Sequence, residues 1–322
     1  MENLYIIGNG FDLHNGFKTS YIDFRQFLKD NEMNDLLDKL EDYFDSDNLW
    51  SSFEETLGNL NIYKYMENNL TDINYVLDYS KSINTEFINM LHDYLYQWLW
   101  FVNSDIDKSK VSCLPINHNS FFISFNYTNT LEIIYNIKEE QIIYLHGKYK
   151  DNDHKVFYNR NIDINVNKQD ILKKNNSDLI LGHNNKKEYS FKKYYKKDGE
   201  IKTLYYDTES IIQFKKICKY TIRQLNKYHV KMNKNPIHQI ELNKKIFENI
   251  DKYDRIIILG HSIGNVDFEY FKTIFNNIKY NTQIIISYYD AESLKKIKGQ
   301  LRKLGLSKKI DFVKLNELQY YD

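Results

Sequence analysis

Four short segments of this 322-residue sequence place polar side chains where apolar, strand-like runs end. The first is Ile7-Gly8-Asn9-Gly10-Phe11-Asp12. A strand that runs into two glycines before a helix lets backbone amides approach a phosphate or a ribose with no Cβ in the way. The dinucleotide fingerprint places a third glycine three residues after the second. Leu13 stands there, so that fingerprint fails in detail. A tight strand-to-helix turn with no ligand is the competing reading of Gly-Asn-Gly.

The second segment is Ser124-Phe125-Asn126-Tyr127-Thr128-Asn129-Thr130-Leu131-Glu132. Its amides and hydroxyls can orient a ribose or a water; helix capping by Thr128 or Asn129 is the simpler alternative. The third, Tyr144-Leu145-His146-Gly147, puts an imidazole at a strand's carboxyl end, where α/β ligands bind and where it can titrate near neutral pH. A structural hydrogen bond is the usual job of a lone histidine. The fourth, Gly260-His261-Ser262-Ile263-Gly264 with Asp267 after it, spells the G-x-S-x-G of a hydrolase elbow. That fold needs its histidine after the serine and the acid, and His261 is the last histidine of the chain. Gly260 and Ser262 are better suited to a phosphate or ribose contact.

The elements that must position these groups read as a parallel sheet. Leu4–Ile7, Phe121–Phe125, Ile142–Leu145, Leu179–Leu181, Ile256–Leu259, Ile284–Tyr288 and Phe312–Leu315 are short apolar runs that predict buried strands. Helical patterns such as Val266–Ile278 and Ala291–Leu304 separate most of them, so the expected class is an α/β doubly wound, mainly parallel sheet. From Tyr21 to Asn103 the chain reads as nearly all helix, with Trp50, Phe53 and Leu57 as core and Glu54 beside them. Helices are also expected near Glu209–Tyr228 and His238–Ile250, separated by Pro236. The apolar run Tyr94–Phe101 predicts burial, with a subunit interface as the other reading.

Lys+Arg and Asp+Glu are 44 each, so nothing in the overall charge favours coating a polyanion. The segment Lys186–Lys202, basic with interleaved aromatics, could bind single-stranded nucleic acid but is more simply a solvated loop. Two cysteines cannot form a disulfide framework or a four-thiolate zinc site. The run Leu4–Ile7 is ended by Gly8, too short for a signal peptide, and the expected compartment is the cytoplasm. His146, His183 and His261 with Asp12 form a rival, metal-ligating set for a hydrolase or nuclease, although no local spacing supports it.

Gly8-Asn9-Gly10-Phe11-Asp12-Leu13-His14-Asn15-Gly16-Phe17, followed by Ser20-Tyr21-Ile22-Asp23-Phe24, resembles the opening of the AbiH family, named for bacteriophage abortive infection. Trp50-Ser51-Ser52-Phe53-Glu54, Asn126-Tyr127-Thr128 with Glu132, His146-Gly147, Gly182-His183 and Gly260-His261-Ser262 with Asp267 are similar to further landmarks of that family. The family in turn distantly resembles the sirtuin-like NAD-binding fold. Gly8, Gly10, Asp12 in a serine's place, Gly16 and Asp23-Phe24-Arg25 follow the sirtuin opening. His146-Gly147 matches its catalytic His-Gly, and Gly260-His261-Ser262 its Gly-Thr-Ser turn. Thr128 stands where a carboxylate is expected after the catalytic Asn, and the four-cysteine zinc module is missing.

The resemblance implies a sirtuin-like, Rossmann-type sheet with large helical insertions, a role in phage defence, and NAD as substrate or ligand with no metal. One domain is expected, with its nucleotide-binding core in 1–20, 116–185 and 251–322 and insertions at 21–115 and 186–250. Asn126 and His146 are the candidate catalytic residues. Gly8, Asn9, Gly10, Phe11, Asp12, Tyr127, Gly147, Gly260, His261, Ser262 and Asp267 are the candidate nucleotide-binding residues. Partners are expected to be a small nucleotide and, optionally, a second copy of the chain, with no membrane; nucleic acid is disfavoured but left open. A nucleotide-binding sensor without turnover is the non-enzymatic alternative.

Overall fold

The computed structural model describes residues 2–44, 49–60, 73–104, 111–150, 179–184, 208–306 and 308–321, with backbone alone for 73–76, 79 and 208–215. The chain divides into two compact units. One comprises Met1–Phe24, Leu95–Ile180 and Asn235–Asp322, the other Arg25–Tyr94 and Leu181–Lys234.

The first unit is built on a six-stranded sheet: β1 (Asn3–Ile7), β2 (Phe121–Ser124), β3 (Ile142–Tyr144), β4 (Arg255–Leu259), β5 (Gln283–Tyr288) and β6 (Ile310–Lys314). The spatial order is β3-β2-β1-β4-β5-β6 and every neighbouring pair is parallel. This is the doubly wound order in which the winding direction reverses between β1 and β4, the position where open α/β sheets leave a ligand crevice. Ile7 is in register with both Ser124 and Leu259, so the loops after β1, β2 and β4 emerge at one level.

The strands read as unbroken apolar runs because both faces are covered. Leu4, Ile6, Ile123, Ile256, Ile258, Ile284 and Ile286 join one core, and Tyr5, Ile7, Phe122, Ile257, Leu259 and Ile285 join another. Helices α1 (Asn9–His14), α2 (Tyr21–Asp30), α3 (Asn34–Tyr43), α4 (Phe53–Leu57), α5 (Ile73–Ser82) and α6 (Ile88–Ser104) precede β2. After it come α7 (Thr130–Ile133), α8 (Thr208–Lys231), α9 (Pro236–Leu242) and α10 (Lys244–Glu248). The last strands are connected by α11 (Phe268–Asn276) and α12 (Ala291–Lys303). α11 buries Tyr270, Phe271, Ile274 and Phe275, one apolar stripe at helical spacing. Ser20 and Asp23 form a reciprocal cap at the start of α2: the Ser20 amide donates to Asp23 and the Asp23 amide to the Ser20 hydroxyl.

Two expectations are corrected. Leu179 and Leu181 are buried, but Leu179–Leu181 is not a strand. Its backbone is partnered by loops instead: the Ile180 amide donates to His146 O and the Tyr127 hydroxyl to Ile180 O. The expected helix His238–Ile250 is two short helices and a 3-10 turn, interrupted at Asn243 and Asn249, whose side-chain amides bond carbonyls four residues back. Pro236 does not merely separate helices; it is the first residue of α9, with Asn235 as cap.

In the second unit, α3 buries Leu36, Leu37, Leu40 and Tyr43. Tyr43, Phe44 and Tyr228 surround the Phe87 ring at centroid distances of 5.3, 6.1 and 6.3 Å. Phe87 ends a π-helical turn, Ile83–Phe87, whose Asn84 donates to Gln224 O at 2.6 Å. In the run Tyr94–Phe101, which belongs to the first unit from Leu95 on, Leu95, Tyr96, Trp98 and Leu99 are buried. The segment Lys186–Lys202 lies outside the described residues. Among the described residues no helix is long and apolar enough to cross a membrane.

Candidate functional site

The loops after β1 and β4 touch along the line where the winding reverses. Gly8 N–H donates to Leu259 O at 2.9 Å and Gly10 N–H to Gly260 O at 2.8 Å. Gly260 has φ +64, and a Cβ there would sit 2.1 Å from Phe11 N. A Cβ on Gly8 would sit 2.7 Å from the backbone of His261. These glycines therefore serve loop-on-loop packing, a need that exists with or without a bound phosphate. Phe11 N–H is used on Gly8 O, and Gly260 N–H on the Ser287 hydroxyl. Phe11 and Asp12 are buried, while Asn9 and Ser262 are the exposed side chains of this pair of loops.

Asp12 ties the start of α1 to the loop after β2. Its carboxylate accepts from Thr128 Oγ1 at 2.5 Å, from Thr130 Oγ1 at 2.7 Å, and from Asn126. Burial pushes its pKa up to about 6, against the opposing pull of those three donors. Asn126 also gives its amide nitrogen to Gly8 O at 3.1 Å. The acceptor half of that amide, Oδ1, is the part that these two bonds leave for other use. Neither Thr128 nor Asn129 caps α7 with its side chain; Thr128 faces the acid instead.

His146 and His261 come from loops after different strands and share one carboxylate. His146 Nε2 lies 3.4 Å from Asp267 Oδ1, and His261 Nε2 lies 3.4 Å from Asp267 Oδ2. Both imidazoles are buried, and Asp267 is 13 % exposed. Phe125 contacts both rings, with centroids 5.3 Å from His146 and 4.5 Å from His261. It stacks on Phe271 from below, at 5.6 Å and 9°. Tyr127 lies 6.2 Å from the His146 ring and is half-buried, as is Gly147 beside it.

The candidate residues after β1, β2, β3 and β4 thus lie around one set of contacts in the first unit. His183 belongs to the second unit, where its amide bonds Met232 O and its ring stands edge-on to His229 at 4.2 Å. Among the described residues no group of three or more His, Cys, Asp or Glu is arranged to hold a metal ion. Sequence reasoning missed Thr130, Phe125 and Ser287. Thr130 was within reach, being two residues past Thr128 in a quoted segment. Ser287 carried no local signal at all.

A family model described as Bacteriophage abortive infection AbiH matches residues 4–288. No curated protein and no solved structure matches the chain. The chain belongs to the AbiH family, and the role that membership carries is phage abortive infection.

Proposed function

We propose that this AbiH-family chain binds NAD or a closely related adenine nucleotide in the crevice beside β1 and β4, and hydrolyses the nicotinamide–ribose bond. One observation carries the reading: loops from four parallel strands, with their polar side chains, meet where a sheet of order 3-2-1-4-5-6 reverses its winding. A second detail supports the sirtuin-like comparison. The hydroxyl and the carboxylate of that pattern are both present with their positions exchanged, as Asp12 and Thr128, and they are hydrogen-bonded to each other.

Nicotinamide leaves as a neutral molecule from a cationic precursor, so acid catalysis is not the main demand. The site must stabilise an oxocarbenium-like centre and offer a water. Asn126, its nitrogen held by Gly8 and Asp12, presents Oδ1 to that water or to a ribose hydroxyl. His146 withdraws a proton or holds the ribose. Asn9 and Gly10 border the adenylate, and Ser262, with Gly260, faces the phosphates or the second ribose. Tyr127 and Gly147 line the same crevice.

The test is nicotinamide release by wild type, Asn126→Ala and His146→Ala, beside calorimetry with NAD, ADP-ribose and ATP. Each substitution is expected to lower turnover by about 100-fold or more. Equal rates in all three remove the assigned roles, and saturable binding without release makes the chain a sensor.

A further inference from the structure

Asp267 occupies the N-cap position of α11, where an aspartate ordinarily bonds the first helix amides. Its side chain makes no such bond. Both oxygens are turned instead toward imidazoles, one each, at 3.4 Å. On the far side of His261, Nδ1 accepts the Ile263 amide at 2.9 Å. A ring nitrogen that accepts a hydrogen bond carries no proton, so neutral His261 has its proton on Nε2, facing the carboxylate. The turn that makes this bond is held under strain: Ile263 is β-branched, fully buried and at φ +55. The rings have little room to turn. Tyr270 lies 5.8 Å from His146, and Phe271 lies 4.7 Å from His261.

We propose that Asp267 is the positioning residue that makes His146 a general base, with His261 anchoring the carboxylate. The identity of the substrate rests on the functional reading above; the dyad itself does not. Asp267 Oδ1 faces His146 Nε2 at 3.4 Å, and its negative charge favours the tautomer with the proton on Nε2 and the lone pair on Nδ1. As the water oxygen bonds the ribose carbon, its O–H breaks and the proton passes to Nδ1. The electrons of the carbon–nitrogen bond leave with neutral nicotinamide. The imidazolium so formed lies against a carboxylate already fixed by His261. This is the orienting role a third group plays for a base in hydrolytic triads.

Two measurements test this on the full chain. In proton NMR, wild type should show downfield imidazole N–H resonances that His146→Gln and His261→Gln each remove singly. Asp267→Asn should move both upfield. In steady-state nicotinamide release, Asp267→Asn should lower kcat about 100-fold with KM within about three-fold. The double variant Asp267→Asn/His146→Gln should be no slower than His146→Gln, because one residue acts through the other. Resonances untouched by Asp267→Asn, or a double variant that loses the product of the two single effects, would overturn the proposal. A wild type that releases no nicotinamide sinks the functional reading alone; if Asp267→Asn fails to fold, absence of the downfield resonances from wild type, or their survival in the histidine variants, overturns the proposal.

Discussion

Each unit of this protein buries a polar cluster, and the two are built on opposite principles. In the second unit, Lys234 has a side chain with no exposure and meets Glu54 at 2.8 Å, one cation against one anion. Tyr228 of the same unit donates to Leu57 O at 2.9 Å. In the first unit, two imidazoles share Asp267, and Asp12 is buried among the neutral donors Thr128, Thr130 and Asn126. A matched ion pair balances its own desolvation and acts as a clamp. Asp12, a buried carboxylate among neutral donors, is a poor structural choice, because desolvation favours its neutral form. Groups held in such uncompensated settings are concentrated where chemistry is done. The contrast fits support for the second cluster and is in keeping with the function proposed for the first.

The severest way to break the first cluster is to stop its loops from touching. Gly260→Ala puts a Cβ 2.1 Å from Phe11 N at a left-handed φ, and should cost more than about 4 kcal/mol or prevent folding, read by urea denaturation. Asp12→Asn sharpens the comparison through pH. The folded-state pKa of about 6 lies above the ordinary 3.8, so the folded chain keeps a proton that the unfolded chain has lost. The stability this gives is full below about pH 4 and declines as pH rises through about 6, by about 3 kcal/mol in all. Wild type should show that decline relative to Asp12→Asn when both are unfolded by urea across the window; parallel curves would remove Asp12 from the account. Lys234→Met tests the clamp and should cost about 2 kcal/mol, tempered because Glu54 is 19 % exposed. Adding Glu54→Gln should return part of that loss, and nucleotide binding measured by calorimetry should not change. Gly264→Ala completes the series. Its Cβ would lie 3.5 Å from Ser262 Oγ, an ordinary contact, so denaturation midpoints should stay within about 0.5 kcal/mol of wild type.

Much of the sheet was legible because a strand covered on both faces has a continuous apolar spelling. Ile256–Leu259 and Ile284–Tyr288 need no partner to be read that way. Leu179–Leu181 shares the spelling and fails, because burial alone does not supply a neighbouring ladder. Glycine pairs announced turns but not what lay across them. The turn after β4 proved to be packed against the one after β1, so the same residues suit two explanations that a linear reading cannot separate. Asp267 was legible as a nucleotide-binding candidate, and only three dimensions show its carboxylate turned to His146 and His261. The Glu54–Lys234 pair was hidden altogether, since a contact between residues so distant along the chain leaves no local pattern.

Of the described strands, the earliest in the sequence lies at the centre of the sheet. β1 must wait for Phe121 before one edge is covered, and for Ile256 before the other is. Such late pairing slows folding and leaves an apolar edge open to misassociation while the ribosome is still at work. It also means that a nascent chain lacking β4 has no crevice. On the function proposed above, activity therefore waits until Leu259 and the turn beyond it have emerged.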